Sequence, residues 1–197
     1  MNARPAIAIL AMLGAGPAAA EAPLWTVDAG SSSIVFTAKQ MQVAIPGRFE
    51  RFTATIRFAA DDLPGSKVLI DIEVASATTP NRDIETEIKR DSWFDVAHHP
   101  TARFETTSFT HKGADRYDAA GQLTLRGVTR AVVLPATIHV ADDPDRPGML
   151  RAEASGDVPL SRTAFGIGQG QWRDVAVVAD EVLVHIKVVA RRPKAGR

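Results

Sequence analysis

Residues 52–58 read Phe-Thr-Ala-Thr-Ile-Arg-Phe, and their alternation decides the fold. Phe52, Ala54, Ile56 and Phe58 share one parity, while Thr53, Thr55 and Arg57 take the other. Side chains on a strand point alternately to its two faces, so such a segment buries one face and wets the other. The pattern recurs at Val68, Ile70, Ile72 and Val74, at Val132, Leu134, Ala136, Ile138 and Val140, and at Val182, Val184, Ile186 and Val188. Further strands are expected at Trp25–Asp28, Ile34–Gln40, Ala102–His111, Arg116–Leu125 and Met149–Val158. Between them stand Asp62-Leu-Pro-Gly65, Lys112-Gly-Ala-Asp115, Arg126-Gly127 and the Pro- and Gly-rich run from Asp142 to Gly148, all turn chemistry. Eight or nine half-buried strands in one unbroken run fit an all-β, antiparallel closed barrel in a single domain over residues 21–197.

One segment departs from this pattern. Thr79-Pro80-Asn81 precedes acidic residues and then Lys89-Arg90, with Ile84 and Ile88 four apart. Thr79 as cap, Pro80 in the first turn and acids near the N-terminus predict a helix of two to three turns beside a barrel mouth. A second irregular stretch, Ser161–Asp180, carries Phe165-Gly-Ile-Gly-Gln-Gly-Gln-Trp172, whose glycines suit a loop.

Composition excludes more than it assigns. The 197 residues are 45% apolar and carry 23 basic against 23 acidic side chains, which argues against a nucleic-acid partner. The absence of cysteine removes disulfides, thiolate metal sites and cysteine nucleophiles. At the N-terminus, Arg4, the apolar run Ala6–Leu13 and Ala18-Ala19-Ala20 have the layout of a secretory signal peptide cleaved after Ala20. Export into a bacterial periplasm is therefore expected.

Catalytic chemistry is mostly missing. His98 and His99 are adjacent and point apart on extended backbone, and His111, His139 and His185 fall on separate predicted strands. No metal site and no catalytic residue is assigned. The Gly166–Gly170 glycines lack the spacing and the strand–turn–helix setting of a dinucleotide loop. Asp83, Glu85 and Glu87 read as acids favoured at a helix start, and Arg103 with Glu105 or Asp71 with Glu73 as solvated strand faces.

Several phrases together identify a resemblance. Trp25-Thr-Val-Asp28, Ser33-Ile-Val-Phe36, Gly47-Arg-Phe49 with Phe52, Asn81-Arg-Asp83 and Trp93-Phe-Asp-Val96 follow one another in order. They continue through Ala102-Arg-Phe-Glu-Thr-Thr107, Gly121-Gln-Leu-Thr-Leu-Arg-Gly-Val-Thr129 and Arg162-Thr-Ala-Phe-Gly-Ile-Gly168. Spread over nearly the whole exported part, these blocks resemble the YceI family of lipocalin-like, polyisoprenoid-binding periplasmic proteins. Two departures stand out. Lys39–Pro46 replaces a His-Gly-type phrase, and the Gly168–Trp172 extension is similar to a subgroup associated with membrane b-type cytochromes.

The resemblance implies an extended eight-stranded lipocalin-like barrel holding an isoprenoid lipid or isoprenoid quinone, with no other cofactor. Alternation alone leaves open whether the interior is a filled core or a tunnel. Given a tunnel, its expected lining is Phe36, Phe52, Ala54, Ile56, Ile70, Ile72, Trp93, Phe94, Phe104, Leu123, Leu125, Ile138, Phe165 and Ile186, with small residues such as Ala102, Gly121 and Ala136 making room. Arg82, Arg126 and Arg162 are the expected head-group contacts at the mouth. Burying a prenyl chain of about forty carbons is worth about 30 kcal/mol against water, beyond the practical ceiling of about 18–21 kcal/mol. The effective competitor is thus a bilayer, which implies a carrier in transient contact with a membrane surface, as monomer or homodimer. Other readings are a small outer-membrane barrel, an enzyme acting on a bound lipid, or an accessory protein of a b-type cytochrome without lipid cargo.

Overall fold

The computed structural model describes residues 21–194; the expected signal peptide lies outside the described residues. Eleven strand segments follow in chain order: β1 (Leu24–Val27), β2 (Ser33–Gln40), β3 (Val43–Phe49), β4 (Phe52–Arg57), β5 (Lys67–Glu73), β6 (Ala77–Thr78), β7 (Thr101–Gly113), β8 (Arg116–Leu125), β9 (Val128–Asp142), β10 (Met149–Ser161) and β11 (Glu181–Pro193). They form eight staves, because β1 with β2, β3 with β4, and β5 with β6 are each one bent stave. Every stave pairs antiparallel with its neighbours in sequence, and β11 pairs with both β1 and β2 to close the ring. The result is an up-and-down barrel.

Serines stand where the staves bend. Ser32 Oγ accepts from Val189 N at 3.0 Å, so β11 keeps a bonding partner between β1 and β2. Ser76 Oγ accepts from Arg51 N at 3.1 Å and donates to Glu73 O at 2.6 Å at the other two bends. A buried backbone group left unpaired is costly, and these hydroxyls stand in for the missing ladder. β3 was not anticipated, since Pro46 and Gly47 read as breakers. Gly47 is instead the cross-strand partner of Phe36, whose ring lies where a side chain would be.

Polarity follows the predicted alternation. Ile34, Ile70 and Phe104 are buried within the ring, while Thr53, Thr55, Arg103 and Glu105 face out. Apolar in and polar out is the reverse of an outer-membrane barrel, so that reading does not fit. The wall is uneven. β8 and β9 pair from Arg116↔Thr137 to Leu125↔Val128, but the β9–β10 ladder covers only Leu150↔Asp142 to Ser155↔Thr137. Past that point β9 and β10 run without pairing, and Pro135 and Pro159, which lack an N–H to donate, stand on either side of the seam.

The two ends differ in their connections. Short turns join β7 to β8 and β9 to β10 at one end, whereas Thr79–Pro100 and Arg162–Asp180 cross the other. The first of these carries α1 (Arg82–Ile88), about two turns long, with Asn81 rather than Thr79 as its cap. Asn81 Oδ1 accepts from Asp83 N at 2.8 Å and Ile84 N at 3.2 Å. Ile88 then packs with Phe36 and Ala77, with Ile84, Trp93 and Phe94 against them, laying the helix over the mouth.

Candidate functional site

The barrel interior contains two chambers that share part of their walls. The inner one, of about 90 Å³, is lined by Trp25, Phe58, Phe109 and a set of small residues including Ala119, Ala136, Ala152 and Ala190. The outer one, of about 160 Å³, lies under α1 and is lined among others by Phe36, Ile72, Trp93, Phe94, Leu123, Phe165 and Val184. The surfaces facing both voids are apolar. A dry apolar cavity of about 150 Å³ accepts a benzene-sized group, so each chamber holds a short piece of hydrocarbon in this conformation.

The inner chamber is blind. Trp25 Nε1 donates to Phe58 O at 2.9 Å, and Phe58 makes edge contacts with Phe109 and Tyr117 at centroid distances of 5.6 and 5.4 Å. The Arg192 guanidinium lies 5.1 Å over the Trp25 ring. Beside it Arg191 binds Asp28 and Asp143, with 2.7 Å between Arg191 Nε and Asp143. The Arg191 bond is the main cause that holds Asp28 below its ordinary pKa. Burial pushes Asp143 up, but the Asp145 amide and Arg191 leave it lowered overall.

Most of the expected lining residues meet in these chambers. Ile56 and Ile138 face the inner one, while Phe36, Ile72, Trp93, Phe94, Leu123, Leu125 and Phe165 face the outer one. Ile70, Phe104 and Ile186 face both. Phe52 and Ala54 do not: they border a side notch with Leu24 and Val27, because the β1–β4 ladder stops after Leu24↔Arg57 and Trp25↔Ile56. Leu134, Val158 and Ile167 were missed, although the parity of β9 and β10 pointed to the first two.

The three arginines are not gathered as a head-group clamp. Arg82 opens α1, is exposed, and lines neither chamber. Arg162 is only 3% exposed and is consumed by backbone: it donates to Ile167 O, Gly168 O, Val178 O and Ala179 O at 2.7–3.2 Å. It also lies 5.8 Å over the Trp93 ring. Burial lowers its pKa, which Asp180 partly offsets. Its work is to hold the Arg162–Asp180 loop over the mouth. Gly168, at φ +76°, is needed there, since a Cβ would stand 2.2 Å from Arg162 Nη1. Arg126 occupies a two-residue turn with Gly127, both at positive φ, and donates to Asp91 O at 2.7 Å. Its Nε and Trp93 Nε1 are buried donors without a partner among the described residues.

The histidines lie apart except for His98 and His99, which follow a turn and both approach Asp95, at 2.7 and 3.9 Å, rather than pointing apart on extended backbone. His98, His139 and His185 each bond a separate aspartate (Asp95, Asp115 and Asp157) at 2.7–2.9 Å, and His111 bonds Ala114 O. Hydrogen bonding from His98 is the main cause that holds Asp95 below its ordinary pKa. Among the described residues no three His, Asp or Glu side chains are grouped to hold a metal ion.

With this geometry in view, the likeness to known proteins is extensive. The YceI-like domain matches residues 25–190. A UPF0312 protein of Azotobacter vinelandii is 30% identical over 179 residues, covering 90% of this chain and 91% of its own. BcnA of Burkholderia cenocepacia has the same fold, with a TM-score of 0.73 at 29% identity over 83% of this chain and 98% of that one. A polyisoprenoid binding domain from Saccharophagus degradans has a TM-score of 0.65 over 86% of this chain and 98% of its own; at 16% identity this is a likeness of fold. An eight-stave barrel, an apolar interior and a family match across almost all described residues lead to one conclusion: the chain belongs to the YceI-like family.

Proposed function

We propose that this protein is a periplasmic carrier that holds the tail of an isoprenoid lipid or isoprenoid quinone inside its barrel. The observation that carries this reading is the pair of chambers, apolar on every facing surface and set one behind the other with four wall residues in common. A family neighbour described as a polyisoprenoid binding domain supports the ligand class. A tail longer than an isoprene unit or two enters the outer chamber as the Phe36 ring turns aside, which rotamer changes permit, and reaches the inner chamber only past Phe104. Its polar head stays at the α1 end, where Trp93 Nε1 and Arg126 Nε await an acceptor.

The test is to purify the protein from native periplasm without detergent and extract it for mass spectrometry. A prenyl lipid or quinone in near-stoichiometric amount is expected. Extracts with only fatty acids or phospholipid overturn the ligand class. Association with a b-type cytochrome that survives emptying of the barrel favours an interaction role instead.

A further inference from the structure

The two chambers meet at one level of the barrel. Ile70, Phe104, Leu134 and Ile186 wall both of them. They come from β5, β7, β9 and β11; β5 and β7 are neighbours, with Ile70 paired to Phe104 across their ladder, while β8 and β10 separate the others. Two of the intervening staves carry glycine here. A Cβ on Gly121 of β8 would stand 2.8 Å from the Phe104 ring. Gly156 of β10 is the cross-strand partner of Ile186, and a Cβ on it would stand 3.1 Å from Leu134 Cδ1. Large side chains thus lean back into space that glycine leaves, and the bore between the chambers is set by how far they lean.

Beyond this level lies only the blind inner chamber. A short tail is accommodated in the outer chamber alone, while a long one must pass between Phe104 and Ile186 to bury its far end. We propose that these four residues form a waist that selects isoprenoid tails by length, an inference that rests on the isoprenoid reading above. Each methylene kept from the inner chamber weakens a long tail by about fourfold relative to one that is fully buried. Small side chains line the inner chamber, so it takes hydrocarbon once the waist is passed.

The test loads the full protein from phospholipid vesicles containing equal amounts of geranylgeraniol and solanesol, then measures both in the re-isolated protein. Wild type is expected to take up solanesol at least as well as geranylgeraniol. Ile186→Phe narrows the waist and is expected to lower the solanesol-to-geranylgeraniol ratio tenfold or more. Phe104→Leu widens it without crowding and is expected to raise the ratio twofold or more, which keeps the test decisive should Ile186→Phe fold poorly. Narrowing through Gly121 is unsuitable, because a Cβ there also stands 2.5 Å from the Glu105 carbonyl oxygen. A ratio unmoved by either substitution in folded protein overturns the waist and leaves isoprenoid binding intact. Wild type that takes up neither prenol overturns the isoprenoid reading and the waist with it.

Discussion

The blind end and the mouth of this barrel share apolar packing but differ in what their polar side chains bind. At the blind end Trp25, Phe58, Phe109 and Tyr117 pack ring against ring, and Arg191 clamps Asp28 and Asp143 across β11, β1 and the β9–β10 turn. At the mouth, a second apolar cluster around Phe36, Phe49, Ile88 and Phe94 is joined by side chains that hold backbone: Arg162 gathers four carbonyls, and Asn81 caps a helix of only seven residues. Backbone conformations that disfavour side chains also collect there, with positive φ at Met41, Gln42, Asp95 and Arg126. Both ends carry apolar packing, but the loops over the mouth depend in addition on side-chain bonds to backbone, which can be exchanged for bonds to water when a loop opens. A carrier needs this division, since its cargo must enter at an end that opens while the rest of the wall stays closed.

Substitutions that treat the two ends alike should break this contrast. Phe58→Ala removes a ring from the blind-end cluster and is expected to lower unfolding free energy by about 3–5 kcal/mol in a denaturant titration. Acid acts on the same end. Because Asp28 and Asp143 titrate below their ordinary value of 3.8 in the folded chain, their contribution is full above it and is lost as pH falls through their lowered values. Melting temperatures followed from neutral pH downward should therefore hold to about pH 4 and then drop, with near-ultraviolet dichroism of the aromatic cluster falling in step. Arg162→Met at the mouth leaves its carbonyls without donors and is expected to cost about 1–3 kcal/mol. Its sharper effect is local, seen as rapid proteolysis between Thr163 and Val178 while the barrel persists.

Milder changes sharpen the comparison. Trp172 touches Trp93 at a centroid distance of 5.6 Å and donates to Glu87 at 2.9 Å. Trp172→Ala is expected to cost only about 1 kcal/mol, well below the blind-end substitution. The least perturbing probe is hydrogen exchange. On β9 between Val128 and Ala136, amides directed toward β10 should exchange fast, and those bonded to β8 slowly. Uniform protection along β9 would mean that the seam is bonded in solution.

Much of the barrel was readable from the sequence because alternation is a direct imprint of a wall with one dry face. The strands around Ile70, Phe104, Leu134 and Ile186 therefore stood where expected. β3 was hidden because Pro46 and Gly47 look like breakers, whereas Gly47 exists to receive the Phe36 ring. The seam had a visible signal in Pro135 and Pro159, each inside an otherwise regular strand, but alternation conceals which neighbour a strand lacks. Arg162 was misassigned for a different reason. An arginine before a glycine-rich loop looks available to a ligand, and only three-dimensional closure shows its N–H groups bonded to carbonyls five to seventeen residues away. Phe52 and Ala54 have the inward parity and pack against the Ile34–Ile70–Phe104 cluster, yet they line neither chamber and border a notch where the β1–β4 ladder ends.

A crystal structure of the protein isolated from native periplasm, with lipid removal avoided, would decide whether the interior is a carrier site. One continuous chain of density is expected from beneath α1, between Phe104 and Ile186, toward Trp25, with those two side chains rotated toward Gly121 and Gly156. Density confined to the protein's own side chains, with both chambers collapsed, would contradict it.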